Sequence, residues 1–132
     1  MAHAFSSLDE LGEGPGFRKI RRALGITAFG VNGLVYPPGY PGTAHYHDRQ
    51  DELYFVHSGT AEVEVDGEVR RLGPGGLFHV ESTTPRKIAN AGDEELVLLV
   101  IGGKDGYVER DGHLVDDSDL EIRRNLGKEK QQ

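Results

Sequence analysis

Between residues 17 and 101 the sequence is a succession of short β-prone runs, each cut off by a turn built on glycine or proline. A long helix cannot propagate across such breaks, whereas antiparallel strands require them, so the spacing points to an all-β barrel or sandwich. The clearest unit is Ala61–Val65, which sets Ala61, Val63 and Val65 on one face and Glu62 and Glu64 on the other, the period of two of a half-buried strand. Asp66-Gly67 follows, a pair that tolerates positive φ and favours a hairpin, and Glu68–Leu72 is the expected return strand. Further strands are expected over 17–24, 26–36, 43–48, 53–57, Leu77–Val80, Arg86–Asn90 and 95–101.

The ends differ from this middle. Ser7 with Glu10 is a capping box for one helical turn, which Gly12, Gly14 and Gly16 should stop. Near the C-terminus, 106–110 and Leu114-Val115 suit short edge strands about an Asp111-Gly112 turn. Ser118 with Glu121 is a second capping box, opening a short helix expected to stop near Gly127, with 128–132 frayed. The 132 residues fit one domain. The expected division is an N-terminal arm over 1–16, a barrel over 17–110 and a C-terminal extension with a short helix over 111–132.

Charge and cysteine usage exclude several functions. A formal net charge of −7 disfavours nucleic acid as the main partner. The single basic cluster, Arg18, Lys19, Arg21 and Arg22, is interleaved with Phe17, Ile20 and Leu24 and is expected to be a solvated strand face. The absence of cysteine removes disulfides, thiolate metal sites and a cysteine nucleophile. No apolar stretch approaches the ~18 residues of a membrane span, and the first residues lack a cationic start followed by an apolar run. A cytoplasmic protein with no membrane partner is the expectation.

The chemistry is concentrated in one stretch. His45 and His47 lie two apart on an expected strand, so both imidazoles point to the same face. Glu52 follows a short turn that can return a carboxylate beside them. Two imidazoles and a carboxylate suit a divalent first-row metal and leave positions open for water or substrate. Counting in twos from Glu52 places Tyr54 and Val56 on the pocket face and Asp51 and His57 on the other. Tyr54 is thus a candidate hydrogen-bond donor or acid, or else a core aromatic.

Gly39, His45, His47, Glu52 and Gly59 stand at the spacing Gly-x5-His-x-His-x4-Glu-x6-Gly, which resembles the first motif of the cupin superfamily. The stretch from Gly73 through Pro85-Arg86 to Asn90 fits the looser second motif in part. The resemblance covers most of the chain and implies a small double-stranded β-helix, or jelly roll. It also implies a homodimer, a metal site on His45, His47 and Glu52, and a role for Asn90 in the pocket. Cupins include dioxygenases, isomerases, epimerases, decarboxylases and sensors, and fold alone does not choose among them.

One position departs from the pattern. The second motif carries a third histidine four residues before its asparagine, and Arg86 stands there. Arginine has no lone pair for a metal and stays protonated. At ~5 Å and an effective dielectric of ~20, its charge opposes a divalent ion by about 6–7 kcal/mol before screening. The guanidinium must therefore turn away, meet an anion or exclude the metal. In one reading His45, His47 and Glu52 hold iron, manganese, nickel, copper or zinc, and Arg86 binds an anionic substrate. In a second, no metal binds, Arg86 pairs with Glu52, and the pocket serves a sensor or an acid–base isomerase. In a third, a rival register recruits His79 as an extra ligand. The expected function is that of a small cupin binding or transforming a small, anionic molecule, with Tyr54 and Arg86 as candidate catalytic groups and Arg86 and Asn90 as candidate substrate contacts.

Overall fold

The hairpin expected around Asp66-Gly67 is formed: Ala61–Val65 (β5) pairs antiparallel with Glu68–Leu72 (β6), and Asp66 and Gly67 take φ of 49° and 78°. The computed structural model describes residues 2–126. In chain order the other strands are Gly16–Arg18 (β1), Gly30–Tyr36 (β2), His45–His47 (β3), Asp51–Ser58 (β4), Leu77–Val80 (β7), Arg86–Asn90 (β8), Leu96–Gly103 (β9) and Gly112–Leu114 (β10). They form two antiparallel five-stranded sheets, in the orders β1-β2-β9-β4-β7 and β10-β3-β8-β5-β6. Most neighbours are distant in sequence, as in a jelly roll. The core lies between the sheets. Leu34, Tyr54, Val56, Val80, Leu96 and Leu98 come from the first sheet, and Ala61, Val63 and Ile88 from the second. On β4 and β8 every second residue is buried, which is how alternation turns Glu52, Tyr54 and Arg86 inward. Among the described residues no helix is long and apolar enough to cross a membrane.

Three expectations are corrected. The run 17–24 is not one strand, because Ile20–Leu24 forms a short helix (α1). Arg21, Arg22, Ala23 and Leu24 are good helix formers, and Gly25, at φ 69°, supplies the left-handed closing residue. The basic cluster is therefore no solvated strand face. Arg18 is buried and donates to the Gly14 carbonyl at 2.7 Å, and Arg21 lies over the Tyr107 ring. Finally, the barrel does not end at residue 110, since β10 joins the second sheet beside β3.

The ends carry the expected short helical pieces. Ser7 Oγ accepts from the Glu10 amide and opens the turn Asp9–Leu11. Asp116 rather than Ser118 caps the C-terminal turn, which continues into Leu120–Asn125 (α2). The stop expected at Gly127 and the frayed end over 128–132 lie outside the described residues.

Two features set the chain path into the site. Gly42, at φ 74°, passes so close to β8 that an added Cβ would stand 2.2 Å from the Ile88 carbonyl oxygen. Gly39, at φ 79°, has open space around the same position. Asn90 is buried and fastens the far end of β8. Its Nδ2 donates to the Tyr36 and Glu94 carbonyls at 3.1 and 2.8 Å, and its Oδ1 accepts from the Gly92 amide at 2.9 Å. These bonds point the amide at the backbone rather than into the pocket, so the expected substrate contact is corrected to a turn anchor.

Both glycine substitutions to alanine incur ~1–2 kcal/mol for the left-handed backbone, but Gly42→Ala adds overpacking of about 1–3 kcal/mol. Urea unfolding should therefore rank Gly42→Ala clearly below Gly39→Ala. Equal midpoints would contradict the close approach of this loop to β8. Asn90→Ala removes three hydrogen bonds made by a buried side chain and should lower stability by about 2–3 kcal/mol in the same assay.

Candidate metal centre

The connection between β3 and β4 crosses from one sheet to the other, and this crossing assembles the site. His45 and His47 face inward from the second sheet, and Glu52 faces them from the first strand position after Asp51. Glu52 Oε1 lies 3.2 Å from His47 Nε2 and 3.8 Å from His45 Nε2. One ligand atom from each of the three residues falls within 4.8 Å of the others. A first-row metal with bonds of ~2.0–2.2 Å to nitrogen and oxygen places adjacent ligand atoms about 3.0–3.5 Å apart. His47 and Glu52 are therefore already at ligand spacing, and His45 stands slightly farther out.

The hydrogen bonds on the far sides of the rings decide what can sit between them. His47 Nδ1 lies 2.8 Å from Asp111 Oδ1, and His45 Nδ1 lies 3.3 Å from the Thr43 carbonyl. Both partners are acceptors, so each Nδ1 carries its proton and donates. In the neutral imidazoles the Nε2 lone pairs then point at a carboxylate oxygen. His47 Nε2 is buried and has no hydrogen-bond partner of good geometry. Two nitrogen lone pairs converging on a buried anion repel unless a proton on one ring or a metal cation lies among them. A divalent metal satisfies all three atoms, and the donor set of two imidazoles and one carboxylate is one that such ions accept.

The titration behaviour has the same origin. Burial pushes the His47 pKa down, but hydrogen bonds and charge from Glu52 and Asp111 outweigh it and raise the value overall. Burial would likewise raise Glu52, yet contacts with His45, His47 and Tyr54 hold its carboxyl well below the ordinary range. Glu52 is thus a carboxylate, ready to bind a cation. Tyr54 is buried and donates to Glu52 Oε1 at 2.6 Å. Burial and the neighbouring Glu52 charge push its phenol well above its usual value, so it stays a donor.

Arg86 lies directly across from His45 in the β3–β8 pairing and is 1 % exposed. Its guanidinium turns to the loop ahead of β8, donating to the Glu81 and Ser82 carbonyls at 3.0 and 3.4 Å. Among the described residues it pairs with no carboxylate, so the expected alternative of an Arg86–Glu52 ion pair is corrected. Its Nε is buried without a partner. The charge still acts on the site, since it opposes protonation of His47 and favours ionisation of Tyr54. His79 is no extra ligand. It pairs with Leu53, is exposed, and lies on the outer face of the first sheet, one position out of phase with Phe78 and Val80. Asp51 also faces outward, accepting from the Ser82 amide and Lys104.

Asp111 is the site residue that sequence reasoning missed. It accepts from the Arg49 and Gln50 amides, at 2.7 and 3.1 Å, and from Gln50 Nε2 and His47. Burial raises its pKa, but these hydrogen bonds outweigh burial and hold it well below the usual range. The Asp111-Gly112 pair signals a turn, and nothing in its spacing from His47 announces the contact.

Comparison with known proteins agrees with the fold. The model of the cupin domain family matches residues 34–102. No match is found among curated proteins. Among solved structures, a cupin protein from Bacteroides fragilis superposes with a TM-score of 0.67 at 24% identity, covering 83% of this chain and 91% of that one. DMSP lyase DddQ from Ruegeria pomeroyi DSS-3 gives 0.59 at 28%, covering 67% of this chain and 43% of that protein. KdgF from Halomonas sp. gives 0.53 at 30%, covering 58% and 70%. With a family match over more than half its length, a jelly-roll barrel and the motif glycines, histidines and glutamate in place, the chain belongs to the cupin family.

Proposed function

We propose that this cupin binds one divalent first-row metal through His45, His47 and Glu52 and receives a small anionic molecule beside it. The observation that carries the reading is the convergence of His45 Nε2 and His47 Nε2 on Glu52 Oε1, with His47 Nε2 buried and lacking a well-aligned hydrogen bond. When bound, the metal would supply Lewis acidity toward an oxygen-bearing ligand. Iron, manganese, nickel, copper and zinc all accept this donor set.

The chain's own groups supply the rest. Tyr54 holds the Glu52 carboxylate in place through Oε1. With a divalent ion added, the charges of the ion, Glu52, Asp111 and Arg86 sum to a positive value, which favours an anion. Arg86 brings a fixed positive charge to the pocket wall without occupying a ligand position, and its unpartnered Nε is the group left to meet an incoming acceptor. That a neighbour of this fold is named a lyase supports a catalytic use of the pocket.

Elemental analysis of the purified protein should find close to stoichiometric metal, lost in both His45→Ala and Glu52→Ala. Returning metal at ~100 times its Kd should add about 2.7 kcal/mol and raise Tm by several degrees. Metal content indifferent to both substitutions, or a melting curve indifferent to chelator, would instead favour a metal-free binding module. Arg86→Met keeps the side-chain bulk without the charge. It should retain the metal and weaken binding of a probe dicarboxylate such as malonate at least tenfold, measured by calorimetry. Unchanged malonate affinity would remove Arg86 as the anion contact.

A further inference from the structure

The metal-ligand strand β3 has little support from β8. Only His45 pairs with β8 in regular register, with one further bond from the His47 amide to the Ser82 carbonyl. On its other side β3 is paired along its whole length by β10, with His45 opposite Leu114, Tyr46 opposite His113 and His47 opposite Gly112. Bonds from the Asp48 amide to the Asp111 carbonyl and from the Val115 amide to the Ala44 carbonyl extend the pairing at both ends. A contact of 2.9 Å between His113 Nε2 and Asp48 Oδ2 closes its rim.

We infer that Asp111 is a positioning residue of the metal centre, so that β10, which lies beyond the family match, completes the site by fixing the orientation and tautomer of His47. The inference rests on the metal reading above. An imidazole can present Nε2 to a metal only if its proton resides on Nδ1, and a carboxylate on Nδ1 both enforces that tautomer and raises the basicity of Nε2. Asp111 is built for this task. Its Oδ2 is held by the Arg49 and Gln50 amides, and its Oδ1 accepts from Gln50 Nε2 as well as from His47. The carboxylate therefore cannot rotate away. Gly112 lets the chain come this close, because an added Cβ there would stand 3.2 Å from His47 Cε1. Asp111 does not bind the metal; it acts through His47.

The experiment is a zinc titration by chelator competition on wild-type protein, Asp111→Ala, Asp111→Asn and His113→Ala, each below its melting temperature. Removing the carboxylate should weaken zinc binding 10–100-fold. His113→Ala disturbs β10 without touching His47 and should leave affinity within about threefold of wild type, against the 10–100-fold expected of an outer partner. Nitrogen-detected NMR of the zinc-loaded wild type should show His47 metallated at Nε2 with a slowly exchanging Nδ1 proton. That proton should exchange rapidly in Asp111→Ala. Wild-type affinity in both Asp111 variants, an equal loss in His113→Ala, or a His47 metallated at Nδ1 would each overturn the inference while leaving the metal site standing. Absence of zinc uptake by the wild type would overturn the metal reading and this one with it. Should neither Asp111 variant fold, the wild-type spectrum alone decides, because it reports which ring nitrogen holds the metal.

Discussion

Three unprotonated atoms aimed at one point form the interaction on which this structure turns. Each imidazole donates its Nδ1 proton outward, to Asp111 or to the Thr43 carbonyl, and so presents a bare Nε2 to the Glu52 carboxylate. In water such an arrangement would rotate apart. In the barrel wall it is held chiefly by the pairing of β3 with β10, and a proton or a metal supplies the positive charge that such an arrangement favours. The raised pKa of His47 is the response of a ring in that situation, since the ring is easier to protonate when two carboxylates face it. A divalent ion would meet the same demand through His45, His47 and Glu52.

The fold contributes by making the crossing between sheets short. β3 and β4 are separated by residues 48–50 yet belong to different sheets, so the two histidines and the glutamate face one another across the barrel's interior. Gly42 and Asn90 set the entry and the far end of this corner through backbone approach and backbone hydrogen bonds, respectively. Arg86 replaces the histidine that would have come from β8. Its guanidinium leaves the ligand position by reaching the Glu81 and Ser82 carbonyls, which explains how a fixed positive charge stands beside the two histidines of the neighbouring strand.

What the sequence made legible follows from the range of the forces involved. Alternation along β4 and β5 depends only on local backbone geometry, so the inward set of Glu52, Tyr54, Val56, Ala61 and Val63 could be counted off in twos. The Asp66-Gly67 turn and the Ser7 cap are likewise local. The helix Ile20–Leu24 was hidden because Ile20 and Phe17 imitate a strand pattern, while the helix depends on Gly25 closing it. The side-chain direction of Arg86 could not be read, because it depends on carbonyls in the 81–85 loop whose path is not periodic. Asp111 was hidden for a different reason. Its bond to His47 joins residues 64 positions apart in sequence, through a strand that belongs to no local motif.

The central claim is that His45 Nε2, His47 Nε2 and Glu52 together hold a divalent metal. Anomalous diffraction from crystals of the protein as purified, collected across the absorption edges of the first-row metals, tests it most directly. The account predicts a single anomalous peak at ~2.0–2.3 Å from both Nε2 atoms and from the Glu52 carboxylate. A site that stays empty when crystals are supplied with metal, or a peak ligated elsewhere with the two Nε2 atoms turned away, would contradict it.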